Sequence, residues 1–185
     1  DAQTFDLEAV ESMKRNENHR DISIFHAYDY HSKGFFNQMI DVLTLGATEV
    51  DVNFNGNVNT HSDGYLLHGI GGWQNCLFAN CTILPIPLFR ERRAIIKDEV
   101  TTITGRGELI DVIMTERGIA INPRREDLQK KVKGSGLPIR TIHQLKEEAE
   151  KICGKPQKPE LEDEIVAIIK WVDGTVIDSV RKVKN

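Results

Sequence analysis

Residues 45–75, LGATEVDVNFNGNVNTHSDGYLLHGIGGWQN, constrain the fold more than any other stretch of the chain. Val50, Val52 and Phe54 alternate with Asp51 and Asn53, the period of a strand with one apolar face. A polar turn follows, in which Gly56 is expected to supply positive φ. A second polar strand carries Asn57, Asn59 and Thr60, and Gly69, Gly71 and Gly72 then close a loop ahead of a helix predicted over 74–80. Glycines at such a loop let backbone approach a ligand and leave N–H groups free to meet an anion.

The flanks supply the other layers. Asp6 is the expected N-cap of a short helix to Lys14, with Leu7, Val10 and Met13 on its inner face. Residues 22–28 alternate as a strand, 33–39 suit either a short helix or a loop, and the apolar run 40–45 suits a buried strand. The run 83–89 contains Pro85 and Pro87, so a strand there is expected at an edge or irregular. Further strands are predicted over 94–97, 110–115 and 119–121, and helices over 124–132 and 142–152. Thr141 is the N-cap of the second helix, and Gly154 stands just past its end. After a proline- and charge-rich tether over 155–164, strands over 165–172 and 175–183 flank Asp173-Gly174, the two-residue signal for a tight hairpin. Strands mixed with short helices predict an α/β domain with a mixed sheet.

At 185 residues the chain suits one well-cored domain. Its net charge of −4, with both signs interspersed, argues against nucleic acid as a partner. No apolar run reaches the roughly 18 residues of a membrane helix, so no membrane association is expected. Cys76, Cys81 and Cys153 lack a metal-ligand rhythm and read as reduced thiols of a cytoplasmic protein. The opening Asp1-Ala2-Gln3 lacks a methionine and suggests a processed chain or a piece of something longer.

Asp51-x-Asn53-x-Asn55-Gly56 imitates the start of an EF-hand loop, but the twelfth position is Ser62 where a bidentate Glu is needed. No two histidines stand at helical spacing around a carboxylate, so no metal site is expected. The loop Gly69-Ile70-Gly71-Gly72 is not a dinucleotide fingerprint. It is either a tight structural turn or a set of N–H groups aimed at an oxyanion or phosphate. Arg117 with Asn122, Arg124 and Arg125 forms a second cluster. Arginine forks match carboxylates and phosphates, whereas the bland alternative is a solvated helix start. Arg90-Glu91-Arg92-Arg93 reads as an ordinary surface turn.

Several blocks, in order, carry a family resemblance: LGATEVDVNFNGNVNT, VTTITGRGELIDVIMTERGIAINPRR, GLPIRTIHQLKEEAE and WVDGTVIDSVRKV. Together they resemble the citrate lyase α-subunit family of the CoA-transferase superfamily over nearly the whole chain. The resemblance implies a Rossmann-like three-layer domain, with a mixed sheet, of the type shared with sugar-phosphate isomerases. Residues 1–185 would be the C-terminal half of a longer two-domain subunit, inactive alone because superfamily sites form between two halves. It further implies exchange of acetyl for citryl on an acyl carrier protein, with citrate consumed and acetate released. The implied partners are the β (lyase) and γ (acyl carrier) subunits in an oligomer. No cofactor would be covalently bound here; the carrier's own prosthetic group is derived from dephospho-CoA. In this picture N–H groups of Gly71 and Gly72 stabilise the oxyanion. Gly69, Trp73 and Asn75 line the acyl site, and Asn57, Asn59, Arg117, Asn122 and Arg124 hold the ligand. The family usually reads Gly-Gly-His-x-Asp after the loop, where this chain has Gly72-Trp73-Gln74-Asn75. That departure keeps two alternatives in view: a transferase for another acid such as citramalate, or a non-catalytic scaffold domain.

Overall fold

A computed structural model of the protein describes residues 6–19, 23 and 39–184. The chain divides into two compact units, Asp1–Phe36 and Asn37–Asn185. The strand expected over 22–28 and the segment 33–39, with His26 and His31, lie outside the described residues except for Ser23 and Met39. In the first unit, helix α1 (Leu7–Arg15) starts at Asp6, whose carboxylate accepts from the Ala9 N–H at 2.7 Å. Leu7, Val10 and Met13, expected to face inward, are exposed.

The second unit runs β1 (Val42–Thr44), β2 (Glu49–Asp51), β3 (Gly56–Asn57), α2 (Trp73–Cys76), β4 (Cys81–Pro85), β5 (Phe89–Arg90), β6 (Arg93–Ala94) and β7 (Ile96–Lys97). It continues with β8 (Val112–Thr115), β9 (Gly118–Ile121), α3 (Glu126–Val132), α4 (Ile142–Cys153), β10 (Leu161–Lys170) and β11 (Val176–Val183). One sheet has the order β1-β4-β8-β9, parallel except for the antiparallel β8–β9 pair. A second has the order β3-β2-β7, with β2 antiparallel to β3 and parallel to β7. The result is a mixed α/β architecture. No helix among the described residues is long and apolar enough to cross a membrane.

Several local expectations change, among them the tether expected over 155–164, whose last four residues already belong to β10, and the helix expected over 74–80, which is Trp73–Cys76. The run 40–45, expected as a buried strand, holds only the three-residue strand β1, which pairs with β4 and leaves Val42 exposed. The proline-containing run 83–89, expected as an edge or irregular strand, is irregular over 86–88, but its first part lies in the inner strand β4, where Thr82 and Leu84 are fully buried. Pro85 is its last residue, and Pro87 lies beyond the ladder, so neither interrupts the interior pairs. The left-handed residue of the 51–56 turn is Phe54, at φ +65°, and not Gly56.

Val50, Leu84, Ile96, Ile110, Ile113 and Leu145 are fully buried and form the centre of the core. Helix α4 packs on β6, β7 and β9 through Ile142, Leu145 and Ala149, which recur on one helical face. Its start is a reciprocal cap: Thr141 Oγ1 accepts from the Gln144 N–H, and Gln144 Oε1 accepts from the Thr141 N–H. Gly154, at φ +81°, follows its last turn. Strands β10 and β11 pair antiparallel around Asp173-Gly174, with Gly174 at φ +89°. The pair is tied to the core unit by the Ile103 N–H bond to Asp178 Oδ2 at 2.6 Å and by the Phe78–Trp171 ring contact.

Candidate functional site

The polar segment 57–60, of which only Asn57 lies in a strand, and the glycine loop are two ends of one hydrogen-bonded network. Asn57 is fully buried; its Nδ2 donates to Glu49 Oε2, Thr60 O and Thr60 Oγ1 at 3.0–3.2 Å. Its Oδ1 accepts from the N–H groups of Asn59 and Thr60. Asn59 accepts from Thr104 Oγ1 at 2.6 Å and donates to His68 O at 2.9 Å, which fixes the root of the loop. Gln74, at the start of α2, donates to Thr104 O. Both asparagine amides are therefore committed to protein partners, and they shape the loop's base.

Asp51 does similar work in the preceding turn. Its carboxylate takes the N–H groups of Asn53 and Asn55 at 2.9 Å and Asn55 Nδ2 at 3.0 Å. Asn55 Oδ1 in turn accepts from the Gly107 N–H. Asn122 is buried and braces the same Gly107–Leu109 turn, donating to Gly107 O and Ile110 O at 2.8 Å.

The glycine loop itself is open. Gly69 and Gly71 are exposed, and a Cβ on either would meet nothing within 4 Å. Gly71 has φ +59°, a conformation that glycine enters without steric cost. Among the described residues, the N–H groups of Gly71 and Gly72 have no hydrogen-bond acceptor. Those two donors, like the N–H groups of Gly69 and Ile70 before them, are able to meet an oxyanion.

Trp73 is turned toward the fold beneath. Its Nε1 donates to Gly46 O at 2.9 Å, and its ring packs on Gly56 and Gly105, which exchange both backbone hydrogen bonds at 3.0 Å. A Cβ on Gly105 would overlap the ring, and one on Gly56 would stand 2.9 Å from it. Two glycines are thus required for close approach. Asn75 is buried within α2.

The arginines stand apart from this network. Arg117 lies in the β8–β9 turn, with its Nε 3.9 Å from Glu148 of α4, which also binds Arg140. Arg124 is exposed, and its N–H donates to Asn122 Oδ1. Arg125, one residue on, is held by Asp111 and Asp127 at 2.8 Å and by Asn80 O. Its guanidinium holds the Asp127 carboxyl far below the usual carboxylate range. The helix start is therefore neutralised by internal carboxylates.

Sequence reasoning missed the centre of the network, the buried pair Glu49 and Lys97. Glu49 is fully buried on β2 and Lys97 nearly so on β7. The carboxylate also takes the Thr101 N–H at 2.9 Å and Thr101 Oγ1 at 3.3 Å. Burial pushes its pKa up, but the Lys97 ammonium and the surrounding donors outweigh that and hold it below the ordinary value. The alternation in 47–54 implied one wet face, whereas all three residues of β2 are buried. No signal in the local sequence distinguishes the two cases. Burial pushes the Cys76 and Cys81 thiols up, so neither is an activated nucleophile.

The family model "Citrate lyase, alpha subunit (CitF)" matches residues 1–183. The citrate lyase alpha chain of Klebsiella pneumoniae is 40% identical across the whole chain, and that of Haemophilus influenzae 39%. The chain spans 37% of the length of each of these two relatives. A crystal structure described as the alpha subunit of citrate lyase from Streptococcus mutans in complex with citrate overlays 96% of this chain and 35% of that one. The overlay has a TM-score of 0.90 at 40% identity. A match this extensive, in sequence and in backbone, establishes that the chain belongs to the citrate lyase α-subunit family.

Proposed function

We propose that this chain is part of a citrate CoA-transferase, the α subunit of a citrate lyase, in the cytoplasm. Within it, residues 1–185 form a Rossmann-like CoA-transferase domain, one half of a two-domain subunit. The observation that carries the reading is the 0.90 TM-score overlay on a relative in complex with citrate. The β and γ subunits are its partners, and the reacting thioester lies on the carrier's dephospho-CoA-derived arm.

In the reaction, a citrate carboxylate oxygen attacks the acetyl thioester carbonyl. The C–S bond breaks, leaving a citryl–acetyl mixed anhydride and the carrier thiolate. The thiolate then attacks the citryl carbonyl, forming the citryl thioester and releasing acetate. Each attack places negative charge on a carbonyl oxygen, which pre-aimed donors stabilise most. The N–H groups of Gly71 and Gly72, without an acceptor among the described residues, suit that task. Asn57, Asn59 and Asn122 hold the surrounding backbone through the bonds described above, and no nucleophilic side chain is required.

The test is citrate-dependent acetate release from acetylated carrier by the complete subunit. Gly72→Asp sets a carboxylate against the developing oxyanion and is expected to slow exchange by about 10²–10³-fold, the value of an oxyanion-hole donor. Unchanged exchange with failed subunit assembly would favour a scaffold role. Faster turnover of citramalate than of citrate would reassign the acid, and Trp73, in place of the family histidine, is the reason to run that arm.

A further inference from the structure

A cavity of about 340 Å³ opens between the β5–β6 turn, the Ser62-Asp63 corner and the segment that follows α4. None of the glycine-loop residues lines it. Its walls carry five cations, Arg92, Arg93, Lys97, Lys155 and Lys158, against the single carboxylate of Asp63. That concentration occurs in a chain whose net charge is −4.

Two of the five cations are already paired. Lys97 is nearly buried and bound to Glu49, and Lys158 meets Glu99 at 2.6 Å. Arg92, Arg93 and Lys155 have no ion-pair partner among the described residues. Lys155 follows the end of α4, where a cation also offsets the helix dipole, so the two arginines are the informative pair.

The turn that presents them is strained. Phe89 pairs with Ala94 and Arg90 with Arg93, leaving Glu91 and Arg92 as a two-residue connection at φ +48° and +61°. Such turns select Asn-Gly, because both positions are left-handed and a Cβ is disfavoured there. Strain kept where cations converge points to use of the site. We propose that this cavity binds a small oxyanion carrying two or more negative charges, gripped by the Arg92 and Arg93 forks above the Lys97–Glu49 floor. Guanidinium geometry matches phosphate and carboxylate alike, and the volume suits a small molecule. This site goes beyond the acyl-exchange reading, and its test reads binding rather than turnover.

The experiment is calorimetric titration of the complete protein with inorganic diphosphate and, separately, with citrate, at low and at physiological salt. Saturable binding that weakens with salt and depends on the two arginines is expected for at least one anion. The one whose arginine-dependent binding is tighter identifies a phosphate or a polycarboxylate source; citrate binding that both arginine variants leave unchanged belongs to the exchange site. Arg93→Gln should weaken it about tenfold, the loss of one charge-assisted contact. Arg92→Gly should weaken it similarly while raising the melting temperature, because glycine accepts φ +61°. Lys133→Gln, outside the cavity lining, should leave the affinity unchanged. No saturable binding of either anion, unchanged affinity in both arginine variants, or an equal loss in Lys133→Gln would overturn the proposal.

Discussion

Removing Lys97 tests whether the buried pair organises the site. Lys97→Ala leaves the fully buried Glu49 carboxylate with only neutral donors: Thr101 N–H and Oγ1, Asn57 Nδ2 and the Ser62 side chain. Breaking a buried pair by deleting one partner costs about 3–5 kcal/mol. Domains hold about 5–15 kcal/mol in total, so the loss takes a large share of the stability. At a urea slope of about 2 kcal/mol/M the midpoint should fall by about 2 M. The double variant Glu49→Gln with Lys97→Met removes both charges and should recover most of it.

Acid should separate this cause from lost packing. In the native protein the folded pKa of Glu49 lies below its unfolded value. Its stabilisation is therefore complete above the unfolded pKa of about 4.3 and is lost as pH falls through the folded value. In Lys97→Ala the ammonium is gone and burial dominates, so the folded pKa moves above the unfolded one. The variant's penalty is then largest near neutrality and shrinks on acidification towards pH ~4. Urea titrations by circular dichroism at several pH values give both curves. A penalty under about 1 kcal/mol, or one that does not change with pH, refutes the argument.

Two further outcomes follow from packing. Gly105→Ala drives a methyl into the Trp73 ring and to 2.8 Å from Leu77 Cδ1, and should cost about 1–3 kcal/mol in thermal melts. Pairing it with Trp73→Leu should return part of that loss, and strict additivity would argue against the ring contact. Thr82 is fully buried on β4 with no partner for Oγ1 among the described residues, so Thr82→Val should stabilise by about 1–3 kcal/mol. A lower melting point for that variant would mean that the hydroxyl is satisfied in solution.

What could be read locally was governed by local chemistry. The helix from Ile142 was legible because Thr141, Gln144 and Gly154 form its two caps within a few residues of its ends. The strands at 112–115 and 118–121 were legible because the apolar runs are bounded by the Glu116-Arg117 turn. The Gly69–Gly72 segment could be recognised as a glycine loop ahead of a helix, but whether it was a tight turn or an open donor set could not, because spacing reports backbone freedom and not what surrounds it. Strand rank was not legible: β4 lies between β1 and β8 despite the prolines of its run, because rank depends on which neighbours arrive from elsewhere in the chain.

The amino-acid sequence by itself determined the family, the order of most elements and the place of the glycine loop. Tertiary structure alone decided how those residues are used. It committed Asn57, Asn59 and Asn122 to bracing backbone, turned Trp73 onto a glycine pair, and joined Glu49 to Lys97 across 48 positions of chain. It also converted an apparently ordinary Arg-Glu-Arg-Arg turn into a strained wall of a cationic cavity. The reason is physical: capping, turn and glycine preferences are set within a few residues, whereas burial and ion pairing depend on which distant segments come together.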